Sequence, residues 1–405
     1  MNVFLLAVRS LTRNRRRTAI ALATVGFGVA AMIIAGGFVE SLLVKLREDT
    51  IYAGLGHLQI RDPRYAEFGL SRPYAYLLAA DQHSLLAVAR MPGVRIVTPR
   101  LTVSGLVSVG ETTLSFTGQG VDVANEVAFS RGLAIIRGTP LQSGDDDTVL
   151  LGEGLAANLA VNPGDTVALL VTAANGTFNA MDVKVAGTFS SISKAYDDIG
   201  LRVPLRTAQR LLRVKGAQQW LVLLDSTDGT GRTAQRIRDI LPSDRYVLTS
   251  WEQDADFYRK TSELFARQFG FVRIVVMAII VLSILNTMTM NVLERTWEIG
   301  VMLALGDSRR DVLALFACEG AILGGSGAVF GVALALVVAA VANSVGIPMP
   351  APPGMSHGFD AGIELSLMLV ASAFIIGAVA TAVASFPPAL RASRLAVVDA
   401  LRTSR

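Results

Sequence analysis

The sequence predicts a membrane protein of four transmembrane α-helices with a large mixed α+β extracytoplasmic domain inserted between helix 1 and helix 2. Three observations predict it. Of the 405 residues, 52% are hydrophobic and only 17% are charged, a balance more apolar than that of ordinary soluble domains. The excess is concentrated in four runs, 19–39, 274–293, 312–345 and 365–389, each meeting the about 20 residues a helix needs to cross roughly 30 Å of hydrocarbon. Lys and Arg gather at alternate ends of these runs, and the long stretch between the first two mixes period-two alternation with helical spacing.

Residues 1–17 contain Arg9, Arg13, Arg15, Arg16 and Arg17 and no acid, with Phe4, Leu5, Val8 and Leu11 recurring beside them at helical spacing; this predicts a short helix in the cytoplasmic interface. The first span, 18–44, exceeds a signal-peptide apolar region in length. Its Ala-x-Ala triplets fall at its start, where cleavage would not occur, so it is read as a permanent anchor. In the domain 45–268, the runs 94–97, 101–109, 113–117, 167–171, 183–185 and 220–224 read as strands, and 81–91, 154–159, 207–212 and 233–241 as helices. A segment of this size buries a core and is expected to divide into two lobes. The turns 143–147 and 162–165 read as connections; no EF-hand spacing follows Asp145, Asp146 and Asp147, which favours a solvated turn over a Ca²⁺ loop.

The second span, 270–293, leads into a charged segment, 294–311. The stretch ERTWEIGVMLALGDSRRDV carries seven charged residues among nineteen. Trp297, Val301, Ala304 and Leu305 recur at helical spacing, and Glu294 and Glu298 share a face one turn apart. Gly306 and Asp307 end the helix, and Ser308-x-x-Asp311 resembles a capping box with Asp in the place of Glu or Gln. A helix so tightly bounded, fused to two spans, is suited to docking a partner and carrying its motion into them. In the third span, 312–345, Glu319 is the one charge. An unpaired acid at that depth costs on the order of 3 kcal/mol, so Glu319 faces protein or water, either pairing with an Arg of the charged segment or taking part in a conformational cycle. Gly320-x-x-x-Gly324 and Gly327-x-x-x-Gly331 permit close helix approach, between subunits or within one.

The loop 346–364 has no Lys or Arg, and Pro348, Pro350, Pro352 and Pro353 make it stiff. The fourth span, 365–388, is followed by a tail, 389–405, with Arg391, Arg394, Arg402 and Arg405. The basic flanks put both termini and 294–311 in the cytoplasm, and 45–268 and 346–364 outside. The net charge of +4 belongs to these flanks and not to a nucleic-acid surface. Phe38, Val39, Leu42 and Leu43, at the outer end of the first span, form an apolar surface for cargo or for a dimer mate.

Catalytic chemistry has no constellation to rest on. His57, His83 and His357 are isolated, and Cys318 is the single cysteine. The 405 residues contain no G-x-x-x-x-G-K-[ST]; 228–233 resembles a phosphate loop only loosely. No paired nucleophile and base is present either, so no catalytic, metal or cofactor-binding residue is assigned, and the chain is read as a non-enzyme.

Glu294-Arg295-x-x-Glu298-Ile299-Gly300-Val301-x-x-Ala304-Leu305-Gly306 resembles the cytoplasmic signature of the FtsX-like permeases, membrane subunits of ABC transporters of the macrolide-exporter MacB type and the lipoprotein-releasing LolC/LolE type. The tail Pro388-Ala389-x-Arg391-Ala392-x-Arg394-x-x-x-Val398-x-Ala400-Leu401-Arg402 resembles the C-terminal segment of that family, and Leu150-Leu151-Gly152-Glu153-x-Leu155-Ala156 with Pro163-Gly164-Asp165 resembles the MacB-like periplasmic core domain. The resemblance implies an inner-membrane permease of a bacterium without a fused ATPase. A cytoplasmic ABC ATPase dimer holding ATP-Mg would couple through Glu294, Arg295, Trp297, Glu298, Ile299, Gly300, Leu305 and Gly306. It further implies a second permease copy or a sister permease, membrane lipid, and a periplasmic cargo or accessory protein, but no nucleic acid. The function implied is movement of the periplasmic domain against a lipoprotein, lipid or other hydrophobic cargo. The alternatives are a transmembrane signal to a periplasmic enzyme without transport, and peptide or macrolide efflux with adaptor proteins.

Overall fold

The computed structural model describes residues 3–13, 15–69, 71–78, 82–126, 129, 133–191, 193–350 and 358–394. Pro352, Pro353, His357, Val398, Ala400, Leu401, Arg402 and Arg405 lie outside them, as do the side chains of Phe4, Leu5 and Val8. The chain divides into two compact units. The first comprises Met1–Leu43, Thr261–Pro348 and Asp360–Arg405, the second Val44–Lys260 and Met349–Phe359.

Helix α1, Val3–Arg13, precedes α2, Arg15–Thr50. Helix α2 runs past the expected end at 44 because Lys45 and Asp49, one turn apart and 3.2 Å from each other, continue the helix with a polar pair. A π-helical turn, Ile51–Leu55, closes on Gly56, whose φ of +63° and N–H to the Ile51 carbonyl turn the chain into the sheet.

The inserted domain follows in the order β1 Leu58–Arg61, α3 Pro63–Phe68, α4 Gln82–Ala89, β2 Val94–Val109, β3 Thr112–Val121, α5 Val123–Glu126, β4 Ala134–Gly138, β5 Thr148–Gly152, α6 Glu153–Leu159, β6 Thr166–Thr172, β7 Phe178–Ser190, α7 Lys194–Asp197, β8 Gly200–Pro204, α8 Leu205–Leu212, β9 Gln219–Leu224, α9 Thr230–Ile240, β10 Val247–Ser250 and α10 Trp251–Asp254. All ten strands join one sheet in the order β10-β1-β9-β2-β3-β8-β5-β7-β4, with β6 pairing β2 and β7. The long strand β2 pairs with β9 through its first half and with β3 and β6 through its second. Its alternate residues Leu101, Val103 and Val107 enter one core with Leu151, Leu201, Val203 and Leu211. On β9, Trp220, Val222 and Leu224 enter a second core with Leu58, Ile60 and Ile237, while Leu221 and Leu223 pack on the other face with Ile51, Phe129 and Trp251. The one continuous sheet thus carries three cores, and the last two lie apart because β9 buries both of its faces.

Helix α11, Asp256–Glu294, starts well before the expected 270 because its first turns are a polar helix, opened by Asp256 and tied by the Asp256–Arg259 ion pair. Then come α12 Thr296–Ala304, α13 Arg309–Val345, the short strands β11 Ile347–Met349 and β12 Phe359–Ala361, which pair with each other, and α14 Leu367–Ser393. Helices α2, α11, α13 and α14 are long and apolar enough to cross a membrane. Helix α14 passes through Pro387 and Pro388 and ends beyond the expected 388, held by Ala389 and Ala392 packing on Ile299, Val312 and Phe316.

The four glycines of the two spaced pairs on α13, Gly320 and Gly324, Gly327 and Gly331, face helices of the first unit. Gly320 faces Ser385, and a Cβ on Gly324 would lie 2.9 Å from the Thr381 Cβ of α14. A Cβ on Gly327 or Gly331 would lie 2.8 Å from that of Val25 or Val29 of α2. Close approach here joins helices of one chain.

Candidate functional site

The segment between α11 and α13 is built from two helix stops. Arg295, at φ −102° and ψ 14°, breaks the helix between Glu294 and Thr296. Helix α12 ends in a Schellman motif: the Asp307 N–H donates to the Met302 carbonyl (3.1 Å), the Gly306 N–H to that of Leu303 (3.3 Å), and Gly306 takes φ +103°. A capping box then starts α13, with the Asp311 N–H on Ser308 Oγ at 3.3 Å and the Ser308 N–H on Asp311 Oδ2 at 2.9 Å. Asp serves at this position because its shorter side chain still spans the cap.

Arg295 is the hub of the polar contacts. Its Nη1 donates to Glu319 Oε1 at 2.8 Å and to Ser10 Oγ at 2.6 Å, and its Nε donates to Glu298 Oε2 at 2.9 Å. The guanidinium carbon stands 5.6 Å from the centroid of the Phe316 ring. Glu298 Oε1 accepts from Arg13 Nη2 at 2.6 Å, and Arg17 pairs with Glu294. Five helices, α1, α2, α11, α12 and α13, are thereby joined by charge. Burial works against the Arg295 cation, but Glu319 and Glu298 outweigh it and hold its pKa above the ordinary arginine value. Burial likewise works against the Glu298 carboxylate, and the bonds from Arg295 and Arg13 bring its pKa below the usual range. Both stay charged at neutral pH. Glu319, fully buried on α13, keeps Oε2 without a hydrogen-bond partner among the described residues.

The two faces of α12 differ in use. Ile299 packs with Val292, Val312, Phe316 and Ala392, and Gly300 is buried beside it. On the opposite side Trp297 is 52% and Leu305 83% exposed, with Ala304 and Gly306 also open. The stripe of Trp297, Val301, Ala304 and Leu305 seen in the sequence is therefore the outward one, and the core stripe is Ile299 and Leu303. Exposed large apolar side chains beside a locked polar cluster have the character of an interaction surface. Of the eight coupling residues named from the sequence, Glu294, Arg295 and Glu298 enter ion pairs, Ile299 and Gly300 face inward, and Trp297, Leu305 and Gly306 face outward. Ser10, Arg13, Arg17 and Phe316 were missed as members of the cluster. The one signal for them was the one-turn spacing of Arg13 and Arg17, which matches that of Glu294 and Glu298.

A second feature of the first unit is an apolar pocket of about 630 Å³ between α2 and α11, walled by Phe38 and Val39 on one side and Phe265, Phe269 and Val272 on the other, with Gln268 as its polar member. Leu42 and Leu43 are half-buried and are not part of its wall. Among the described residues, no group of three or more His, Cys, Asp and Glu could hold a metal ion.

Residues 18–240 match the MacB-like periplasmic core domain and residues 270–397 the FtsX-like permease C-terminal domain. The chain is 27% identical over 369 residues to the macrolide export ATP-binding/permease protein MacB of Rhodospirillum rubrum, covering 86% of this chain and 54% of that protein. It is 25% identical over 297 residues to an uncharacterized ABC transporter permease of Methanocaldococcus jannaschii, covering 68% of this chain and 67% of the relative. Among solved structures, the periplasmic region of MacB from Actinobacillus actinomycetemcomitans aligns at 17% identity with a TM-score of 0.38, covering 51% of this chain and 94% of that one. The chain thus spans little more than half the length of the MacB relative, 54%. With both of its domains matched in the order in which the fold presents them, this chain belongs to the FtsX-like ABC transporter permease family and carries a MacB-like periplasmic core domain between its first and second spans.

Proposed function

We propose that this permease works as a lever: an ABC ATPase dimer holding ATP-Mg docks on the outward face of α12, and its closure moves the helices tied to Arg295. The observation that carries the reading is the division of α12 into an exposed Trp297 and Leu305 and an inner side fixed by Ile299 and the Arg295 ion pairs. A push on the outer face has nowhere to dissipate locally. It passes to α1 and α2 through Ser10, Arg13 and Arg17, and to α13 through Glu319. The chain runs directly from α2 into the core domain and returns through α11, so both connections to that domain start from the moved helices. The basic flanks support the placement of α12 and both termini in the cytoplasm.

The cargo in this reading is a lipoprotein, lipid or other hydrophobic molecule, supported by the apolar pocket at Phe38 and Val39. Relatives named for macrolide export lend weak support to peptide or macrolide efflux with adaptor proteins as a second reading. Trp297→Ala and Leu305→Asp are expected to lower copurification of the ATPase about tenfold or more, a hot-spot loss, with the amount of permease in the membrane unchanged. Undiminished copurification by both variants would refute docking on this face.

A further inference from the structure

We propose that the core domain responds to the pH of its own compartment through His57: the neutral imidazole pins the chain's entry into the domain to its exit, and protonation from outside releases the pin and uncouples the domain from α2 and α11. The inference rests on the lever reading and deepens it by naming a joint through which the lever must work.

The chain enters the domain at the end of α2 and leaves it into α11, and both ends meet in one small core. Ile51 and Tyr52 come from the entry side, Trp251 and Tyr258 from the exit side, and Leu221 and Leu223 of β9 lie with them. His57 ties the three segments together. Its N–H donates to the Val222 carbonyl of β9 at 2.9 Å, and its carbonyl accepts the Trp251 N–H at 3.1 Å, so the entry holds α10 directly. The ring is 1% exposed and stands edge-on to that of Tyr52, with 6.3 Å between centroids.

The side chain makes this joint sensitive to a proton. Nδ1 accepts the Leu224 N–H at 3.1 Å. That bond fixes the neutral ring as the tautomer with its hydrogen on Nε2, which donates to Thr227 Oγ1 at 3.1 Å. A proton arriving on Nδ1 faces the Leu224 N–H, donor against donor, and gains no acceptor. In a buried site both the broken bond and the new charge go unsolvated. No carboxylate compensates. Burial, joined by the Arg47 charge of α2, lowers the His57 pKa from 6.5 to about 4. On α2, Glu48 is exposed and Asp49 pairs with Lys45; after β9, Asp225 and Asp228 are exposed. On α10, Asp254 pairs with Arg61, and Glu252 acts on Tyr258 and not on His57. The protonated ring is therefore accommodated by leaving its site, and Leu224 and Trp251 are released with it. Because the folded pKa is the depressed one, release sets in as pH falls from 6.5 through about 4.

The test follows amide hydrogen exchange of the full chain in lipid nanodiscs at pH 7 and pH 4, with each rate divided by that of the unfolded chain at the same pH. A pKa moved from 6.5 to about 4 makes opening of the joint about a hundredfold more favourable at pH 4 than at pH 7. The Leu224 and Trp251 amides should lose protection by that factor and exchange ahead of those of Val103 and Val203 in the first core. His57→Asn places an oxygen where Nδ1 stood and cannot titrate, so the loss should vanish. Unchanged protection in the native chain, an equal loss in His57→Asn, or exchange of all four amides at one rate, which marks unfolding of the whole domain, would each overturn the proposal. Arg47→Gln keeps the test open if His57→Asn does not fold: with the opposing cation gone the loss should move to higher pH, and an unmoved or lower midpoint would overturn the proposal. Inverted vesicles carrying the permease and its copurifying ATPase, at pH 7 outside and acidified in the lumen, then read the coupling. Cargo-coupled ATP turnover should fall with lumen pH in the native chain and hold in His57→Asn; turnover indifferent to lumen pH overturns this inference alone. An ATPase missing from the vesicles removes the docking reading, while the exchange measurement still decides for His57.

Discussion

Arg295 and Glu319 form the contact on which the cluster depends, because Glu319 is fully buried and Arg295 largely so. Removing one member of such a pair leaves the other charged and unsolvated, whereas removing both leaves only a small packing deficit. Arg295→Ala is therefore expected to destabilise the detergent-solubilised protein by about 3 kcal/mol. Arg295→Ala with Glu319→Ala should recover most of that loss, a coupling above about 1 kcal/mol in a thermal-denaturation cycle. Additive losses would show that the two side chains do not sense each other. A second charged group of the same kind lies in the core domain, where Arg100 and Arg202, both buried, share the one carboxylate of Glu126. Burial, with Arg202 acting alongside it, lowers the pKa of Arg100 despite the pull of Glu126. The sequence offered an Arg of the charged segment as one of two roles for Glu319, since an acid within a span must face protein or water. It did not point to the Arg100 and Arg202 pair, because a strand such as Gly200–Pro204 that buries every residue, arginine included, shows no alternation to read.

At the scale of elements, α12 acts as a lever only if its two stops are stiff. The C-terminal stop depends on Gly306, whose φ of +103° is a backbone state open to glycine and strained for other residues, while open space surrounds the position. Gly306→Ala therefore meets no steric clash, and its effect is that of the backbone alone. It is expected to cost about 1 kcal/mol in thermal stability and to lower cargo-coupled ATP turnover while the ATPase still copurifies. Unchanged turnover would mean that the angle between α12 and α13 does not matter. The stops themselves were legible, because Gly-Asp and Ser-x-x-Asp are local signals. The apolar runs marked the four long helices equally well, and the helices continue beyond those runs to Thr50, Asp256 and Ser393 because polar helical extensions carry no hydropathy signal. The stripe of Trp297 and Leu305 was legible as a stripe but not as an outward face. Periodicity reports that one side of a helix is apolar, and only the packing of Ile299 against Phe316 settles which side is covered.

For the whole molecule, the division into two units has a thermodynamic consequence that can be measured on one of them. Residues 44–260 contain their own ten-stranded sheet and separate cores, and Cys318 lies outside them, so no disulfide contributes to their stability. This segment is expected to fold alone, and its pH dependence centres on His57. The imidazole is 1% exposed, accepts the Leu224 N–H at Nδ1 (3.1 Å) and sits 3.1 Å from Thr227 Oγ1 through Nε2. Burial, aided by the Arg47 charge, lowers its pKa from 6.5 to about 4. Because the folded pKa is the lower one, the unfolded chain takes up the proton first as pH falls. Stability is then lost between pH 6.5 and about 4 and levels off below, with a loss of up to about 3 kcal/mol. Urea denaturation of the excised domain at pH 7 and pH 4 should show this decline, and His57→Gln, which cannot titrate, should flatten the part of it that His57 causes. An equal decline in His57→Gln would assign it instead to carboxylates such as Asp62, which Arg64 holds below the usual range against the opposing effect of burial, and whose stabilisation is lost on the acid side of its own lowered pKa. The two origins separate on the pH axis, since the histidine contribution begins near 6.5 and that of the aspartate only below about 4.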